Sequence, residues 1–393
     1  MSRYTRNFSI LQGCYWIAAC FLYAFAERFL LARGFTVQEV GIVLAVSNGA
    51  ALLLQPLLAA LADRPNGLSL RAELSTGAGL AAALSLLLCF PGQTAALVAV
   101  LFGSLAALTV AIQPLANAVG LAYLDRGERI NYSLARGIAS ALFGGYCYAA
   151  GFLAEWNSDA LLWCFAASSL GLMVSALAFA PKKEPSAQPK EDGGAWTLFL
   201  KHRFLWLLLP ATVLIFTVHN FINAYMLSIV SAIGGGTHEM SVAIALAAIL
   251  EIPTMAGFSL LQKRFRLKTL LFFSAAAFLF KHLLLLLPLY GGAGVWAVYA
   301  SQSVQLLGYA IFIPASSFFL NERMDAGDKV KGQMLLTESQ TLGCILGQLL
   351  GGFSIASIAV GPTLLIGGAL TAVGTALMGL ALWEKKKPDC QEG

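Results

Sequence analysis

Long apolar stretches recur along the whole chain and limit what it can fold into. Charged or Pro/Gly-containing segments separate about twelve of them. Each has about the 20 residues that an α-helix needs to cross about 30 Å of hydrocarbon. Only 11% of the 393 residues are charged, against about 25% in soluble globular proteins. The sequence therefore predicts an all-α membrane protein of twelve transmembrane helices, which cover 8–31, 39–61, 72–90, 94–119, 134–154, 160–180, 204–232, 240–261, 268–289, 293–320, 333–356 and 360–383.

Positive charges gather on one side of this predicted topology. With a cytoplasmic N-terminus, the outer loops hold only Arg28 and Arg33, and the Lys and Arg side chains of the other loops and the termini face the cytoplasm. Because positive residues remain on the cytoplasmic side, we expect both termini there, in a bacterial cytoplasmic membrane. The net charge of +5 then reflects topology, and no nucleic-acid partner is expected.

The longest polar interruption, PKKEPSAQPKEDGGAW at 181–196, falls near the middle of the chain. It has the composition of a solvated linker. Segments on its two sides also resemble each other at a shift of 197 residues, which places Arg126 over Arg323 and Arg136 over Gln333. We predict two pseudo-symmetric six-helix bundles, 1–180 and 204–383, joined by a cytoplasmic linker at 181–203 and followed by a cytoplasmic tail at 384–393.

The chemical motifs of enzymes are missing from the sequence. It contains no GxxxxGK[ST] phosphate loop and no nucleophile elbow, and its seven cysteines lack the spacing of metal ligands. We therefore expect no catalytic activity, no metal and no cofactor. Transport driven by an ion gradient, or by the gradient of the solute itself, is the remaining class. The expected partners are a small-molecule substrate and the lipid bilayer, with the protein itself a monomer.

Two charged residues lie deep in the predicted second bundle. Glu251 is about 16 Å and Lys281 about 20 Å from the cytoplasmic end of its helix, so the two are at similar depth on consecutive helices. Charged side chains inside a membrane are costly and usually functional. The pair could exchange a proton or contact substrate during transport, or it could be a structural ion pair between helices 8 and 9. The expected coupling ion is a proton.

Neutral polar side chains accompany these charges and suit a solute that carries hydroxyl or amide groups. Interhelical hydrogen bonding is the alternative for the same residues. Glu27, near the outer end of helix 1, could contact substrate or neutralise Arg28 at the lipid headgroups. The candidate residues with hydrogen-bonding side chains are His219, Asn220 and Asn223 on helix 7, Gln302, Gln305 and Tyr309 on helix 10, Gln113 and Asn117 on helix 4, and Arg136 on helix 5.

The stretch ALADRPNGLSLR at 60–71 resembles the helix 2–3 loop signature of the major facilitator superfamily. Asp63, Arg64 and Gly67 match the signature, whereas Ala59 stands where the first glycine is usual. The opening FAERFLLARGFTVQEVG, the pair Glu251 and Pro253, and KGQMLLTESQTLGCILGQLLGG are similar to a narrower branch. That branch comprises lactose permease-like, nucleoside and phenylpropionate proton symporters.

The resemblance carries expectations for single residues. Arg136 looks like the helix-5 arginine of the lactose permease-like family, but Asn117 replaces its acidic partner, so a galactoside is not the expected substrate. Lys281 stands where that family has an arginine. Asp63 and Arg64 are expected to control the conformational equilibrium. Glu338, five residues into helix 11, is a candidate gate residue or salt-bridge partner.

The sequence thus predicts secondary active transport of a small polar metabolite, resembling a sugar, a nucleoside or an organic acid. Proton symport is the expected mechanism, with two halves rocking about a midplane site. An efflux antiporter for drugs or amphipathic compounds is the alternative, because the aromatic content is high and the polar residues of the pocket are few. A receptor or scaffold that transports nothing on the same fold is a third class.

Overall fold

The computed structural model describes residues 1–63, 68–157, 159–180, 195–325 and 328–383. Arg64 and most of the predicted linker and tail lie outside these residues. The described elements of the first half are helices: α1 (Arg3–Ala24), α2 (Ala26–Ala32), α3 (Val37–Asp63), α4 (Leu70–Leu88), α5 (Ala95–Ala111), α6 (Gln113–Asp125), α7 (Tyr132–Trp156) and α8 (Ala160–Phe179).

The second half repeats this pattern after a short helix. Its elements are α9 (Ala195–Lys201), α10 (Leu205–Ala224), α11 (Met226–Ser231), α12 (Thr237–Ala256), α13 (Phe258–Arg264), α14 (Leu267–Tyr290), α15 (Gly294–Ser303), a 3-10 turn (Val304–Leu306), α16 (Tyr309–Arg323), α17 (Lys329–Ile358) and α18 (Val360–Trp383).

Twelve membrane-spanning units follow from these helices. In the described part of the chain, ten spans are long and apolar enough to cross a membrane, and the bent pair α1 and α2 makes an eleventh. The 19-residue helix α4, which packs against α5 and α8, completes the twelve. The predicted all-α membrane fold is therefore confirmed. Trp156, Trp296 and Trp383, each at least 77% exposed, lie at helix ends, where aromatic side chains meet the membrane surface.

Several spans are broken where the sequence predicted single helices. The first and seventh spans break at Phe25 and Tyr225, and both residues leave helical geometry with φ near −118° and −115°. The fourth span breaks at Ile112, the eighth at Gly257 and the tenth between Ser303 and Tyr309. The first two breaks, at Phe25 and Tyr225, fall at corresponding points of the two halves. Because each break ends a helix, it places polar backbone groups inside the bundle.

We name the two ends of the bundle by the connections they carry. The linker face carries the connections at 126–131, 202–204 and 265–266, and the far face carries those at 33–36, 89–94 and 232–236. The halves meet along two seams, α3 against α17 and α7 against α12. At Gly41 on the first seam, an added Cβ atom would lie 2.7 Å from the carbonyl oxygen of Gln348 and 3.0 Å from Cα of Gly352.

Packing differs between the two faces. One apolar cluster at the far face joins both halves and includes Phe21, Phe29, Phe221 and Met226. Toward the linker face each half has a cluster of its own, built around Phe8 and its neighbours in the first half and around Phe312 and its neighbours in the second. The described residues therefore form a bundle that is closed at the far face and divided at the linker face.

Glycines set the approach of α17 to α10 within the second half. The sequence places Gly343, Gly347 and Gly351 at every fourth position of α17. A Cβ atom at Gly343 would lie 2.9 Å from the carbonyl oxygen of Val213, and one at Gly347 would overlap the carbonyl oxygen of Thr217. The close helix approach expected from this spacing is confirmed.

Candidate functional site

The membrane-embedded charges of the second half meet at a glutamine. Lys281 on α14 is 2% exposed, and its Nζ atom donates a 2.6 Å hydrogen bond to Oε1 of Gln305 in the 3-10 turn. Glu251 on α12 lies near enough to Gln305 and Lys281 for both side chains to act on its carboxyl group. The described residues contain no direct ion pair between Glu251 and Lys281. The two charges lie near each other without a direct ion pair, and Lys281 is bonded to the Gln305 amide instead.

A second group forms around His219 on α10. Its Nε2 atom lies 3.1 Å from Nδ2 of Asn223, and its ring stacks on Tyr309 with centroids 5.2 Å apart. The Nδ1 atom of His219 and both polar side-chain atoms of Gln302 are buried without a hydrogen-bond partner in the described part of the protein. Because buried polar groups are normally paired, these atoms have unused capacity for water or solute.

The polar residues of the first half are joined by Gln12, which is fully buried on α1. Its Nε2 atom donates to the carbonyl oxygen of Ala116 and to Oδ1 of Asn117, each at 3.1 Å. Its Oε1 atom accepts from Nε1 of Trp16 at 3.2 Å and from Nη1 of Arg136 at 3.3 Å. Asn117 and Arg136 therefore share one partner, which the sequence reasoning missed. A glutamine inside the first predicted span was the available signal.

Charges from both halves face the same central region. The guanidinium carbon of Arg136 lies 4.6 Å from the ring centroid of Trp16, a cation–π geometry. Tyr309 lies close enough to both Arg136 and Glu251 for the two charges to act on its hydroxyl group. The α7 and α12 seam thus brings a first-half cation near a second-half carboxylate.

A small cavity lies between the halves on the far-face side of these charges. Its volume is about 50 Å³, which is room for a few water molecules but not for a metabolite. Four carboxamides and one carboxylate contribute to its lining: Asn48, Asn220, Asn223, Gln348 and Glu27. Asn48 and Gln348 were not among the predicted site residues.

Glu27 connects the halves at the far face. It is 2% exposed, and its Oε2 atom accepts from the backbone N–H groups of Leu227 at 3.1 Å and Ser228 at 3.3 Å. Its Oε1 atom accepts from the Ser228 hydroxyl group. Arg28 donates instead to Oγ1 of Thr237 at 3.2 Å. The suggested neutralisation of Arg28 by Glu27 is therefore absent from the described contacts, because each side chain binds a different element of the second half.

Glu338 is the predicted gate residue whose side chain the structure describes. Asp63 ends α3 and Arg64 lies beyond the described residues, so their predicted role in the conformational equilibrium stays a prediction. Glu338 is exposed on α17, and the described part of the chain shows no ion pair for it. Gln113 begins α6 directly after the break in the fourth span.

A polar cluster at the linker face ties α9 to the connection between α16 and α17. Nζ of Lys201 lies 2.6 Å from Asp325 and 2.7 Å from Asp328, and Nε2 of His202 lies 3.0 Å from Asp328. The two carboxylates raise the pKa of Lys201, and Lys201 lowers the pKa of both aspartates. His202 and the aspartates have the spacing of metal ligands, but the ammonium group already occupies both carboxylates.

Two helical halves around a buried polar region inside a membrane-spanning bundle define a secondary transporter of small solutes. The sequence profile of the MFS_1 like family matches residues 10–364. The chain therefore belongs to this family, which consists of major facilitator transporters, and it is a multi-pass membrane protein. No curated protein sequence matches it significantly.

Solved structures show the same fold at low sequence identity. The crystal structure of a mutant of the nucleoside transporter NupG has a TM-score of 0.82 and 16% identity, covering 97% of this chain and 99% of that one. A second NupG crystal structure has a TM-score of 0.78 and 16% identity, covering 98% and 100%. A POT family transporter in complex with 5-aminolevulinic acid has a TM-score of 0.69 and 10% identity, covering 97% of each chain.

Proposed function

We propose that this protein takes up a small polar solute with hydroxyl or amide groups across the bacterial cytoplasmic membrane by proton symport. The linker face is then cytoplasmic, and the two halves rock about the region between Arg136 and Glu251. Nucleosides are the first solutes to test, because NupG shares the fold over nearly the whole chain. Amides at Asn220, Asn223 and Gln305 offer the donors and acceptors that such solutes need.

The arrangement of Glu251, Gln305 and Lys281 carries the proposal of proton coupling. A carboxylate inside a membrane bundle needs compensation for its charge, and the ammonium group of Lys281 that acts on Glu251 is bonded to the neutral Gln305 instead of pairing directly with the carboxylate. A proton can therefore bind Glu251 without first breaking a direct ion pair. Once Glu251 is neutral, the charge of Lys281 loses its counter-charge and favours a solute acceptor group near Gln305.

Export of amphipathic compounds by proton antiport is the second candidate. Aromatic side chains near Arg136 support it, because the ring of Trp16 lies 6.0 Å from that of Phe143 and 6.3 Å from that of Tyr23, and Tyr23 also lines the cavity. Flat apolar rings suit a hydrophobic cation or a planar drug as well as a nucleobase.

Uptake into proteoliposomes separates the candidates. The purified protein would be reconstituted with an imposed proton gradient and offered radiolabelled nucleosides, sugars and organic acids. Accumulation that collapses on adding a protonophore supports symport. Extrusion of a fluorescent amphipathic dye, with no accumulation of any panel solute, would favour antiport. A protein that moves neither class of compound would contradict both.

A further inference from the structure

Asn48 on α3 and Gln348 on α17 form a polar contact across the seam between the halves. Nδ2 of Asn48 donates to Oε1 of Gln348 at 3.2 Å and to the carbonyl oxygen of Leu44 at 3.0 Å. The hydroxyl group of Tyr225 holds the backbone of Gln348 through a 2.7 Å bond to its carbonyl oxygen. Both side chains line the cavity.

The contacts fix which atoms of the pair stay available. The carbonyl oxygen of Leu44 can only accept, so Asn48 must direct its NH₂ group toward it. Gln348 must then present its oxygen to that same NH₂ group. This leaves the Oδ1 atom of Asn48, an acceptor, and the Nε2 atom of Gln348, a donor, without hydrogen-bond partners among the described residues. An acceptor and a donor thus stand side by side at the cavity.

The position of the pair couples it to opening of the far face. Gly41 and Gly352 bring the two backbones of the same seam into close contact, about two turns and one turn away along their helices. When α3 and α17 separate there, the bond between the two amides must break. Oε1 of Gln348 and one N–H of Asn48 then lose their mutual bond, while Oδ1 of Asn48 and Nε2 of Gln348 stay available in a region shared with Asn220 and Asn223.

We propose that Asn48 and Gln348 determine solute specificity by binding a solute edge that carries an N–H group beside a carbonyl oxygen. The Oδ1 atom of Asn48 accepts from the solute N–H, and the Nε2 atom of Gln348 donates to the solute oxygen. Such edges occur in lactams, imides and pyrimidine bases. In the closed protein a single bond from the Asn48 NH₂ group to Oε1 of Gln348 joins the two amides, and the solute binds the remaining oxygen and NH₂ group when the far face opens. This inference rests on the proposed transport of a small polar solute.

Two solutes that differ at this edge test the proposal. Uridine carries an imide N–H between two carbonyl groups, and its N-methylated derivative lacks that donor. Inhibition of solute exchange in proteoliposomes would be measured for both compounds with the wild type, Asn48→Leu and Gln348→Met. Gln55→Met is the matched control, because Gln55 is a carboxamide on the same helix that bonds to the carbonyl oxygen of Val110 within the first half.

We expect the wild type and Gln55→Met to bind uridine about tenfold more tightly than the methylated compound, the effect of one unpaired polar group. In Asn48→Leu and Gln348→Met the ratio should fall toward one.

If both variants keep the wild-type ratio, or if the wild type does not discriminate, the pair only joins α3 to α17 and the proposal is wrong. If another solute is transported and uridine does not bind, the proposed edge chemistry is wrong. Failure of every panel solute would instead overturn the proposed function.

Discussion

The ammonium group of Lys281 binds Gln305 at 2.6 Å, with no direct ion pair to Glu251 among the described residues. Because Lys281 bonds to Gln305 and not to Glu251, the two charges interact electrostatically without an ion pair that joins α12 to α14. Such an arrangement suits the proposed coupling site, because a direct buried pair would resist protonation.

Replacement of Glu251 by glutamine should uncouple transport from the proton gradient. The Glu251→Gln variant keeps the size and hydrogen-bonding groups of the side chain but cannot release a proton. We expect accumulation against a gradient to disappear while exchange of labelled for unlabelled solute continues. Proteoliposome uptake and counterflow measure the two activities. Glu322→Gln, at an exposed position on α16, is the control, and intact accumulation in Glu251→Gln would show that the proton binds elsewhere.

Removal of the Glu27 carboxylate should open the far face. Its bonds to Leu227 and Ser228 join the two halves, and a hydrogen bond to a charged group contributes about 1.5–3 kcal/mol. In a variant whose only cysteine is Cys344, which lines the cavity, we expect Glu27→Ala to speed labelling by an impermeant maleimide at least about tenfold.

The matched control for this experiment is Glu39→Ala. Glu39 also lies near the far face, but its carboxylate bonds to Thr36 within the first half. Its removal should leave the labelling rate of Cys344 unchanged. Equal rates in Glu27→Ala and the parent protein would mean that Glu27 does not hold the halves together.

A methyl group at Gly347 should destabilise the second half. The backbone carbonyl of Thr217 occupies the space that a Cβ atom would need, and such overpacking costs about 1–3 kcal/mol. We expect Gly347→Ala to lower the melting temperature in detergent, followed by intrinsic fluorescence. Gly145→Ala provides the comparison, because a Cβ atom there meets no heavy atom within 4 Å. Similar melting temperatures for the two variants would contradict the packing of α17 on α10.

The contribution of Lys201 to stability should depend on pH. The pKa values of Asp325 and Asp328 are lowered in the fold, so their stabilisation is present above the unfolded aspartate pKa of about 3.9 and is lost as the pH falls through the folded values. The pKa of Lys201 is raised, so its contribution is present below about pH 10.4 and is lost at higher pH. The window between these limits includes neutral pH.

Thermal unfolding at two pH values checks this window. Lys201→Ala should lower the melting temperature relative to the wild type at pH 7, by no more than a few degrees for an exposed pair, and the difference should shrink at pH 3. Lys263→Ala removes an exposed lysine that has no ion pair with the described residues and controls for general charge effects. A constant difference at both pH values would assign the effect to something other than the aspartates.

Sequence patterns predicted the membrane-spanning helices better than the breaks within them. Apolar length alone revealed the spans, because lipid requires every spanning segment to satisfy its own backbone. The breaks at Phe25 and Tyr225 have no Pro or Gly at the broken residue, so no local signal predicted them. They depend on tertiary contacts, such as the binding of Glu27 to the first backbone groups of α11.

The same limit applies to the candidate site. Glu251 and Lys281 lie on consecutive helices, so their proximity could be argued from depth. Gln12 joins Asn117 and Arg136 through side-chain directions that sequence spacing does not define. Asn48 and Gln348 are 300 positions apart, and only the assembled halves bring them into contact.

The far-face cluster has a consequence for the speed of the transport cycle. The rings of Phe21, Phe29, Phe102 and Phe165 pack against one another within the first half. We therefore expect them to move as one rigid group. At the boundary between the halves, Gly41 and Gly352 bring the two backbones into contact beside the hydroxyl group of Tyr225. Opening the far face leaves this ring packing intact but must break the bonds of Glu27 to Leu227 and Ser228 and the bond between Asn48 and Gln348. The barrier to rocking should therefore come from these polar contacts between the halves and not from repacking of the rings within the first half.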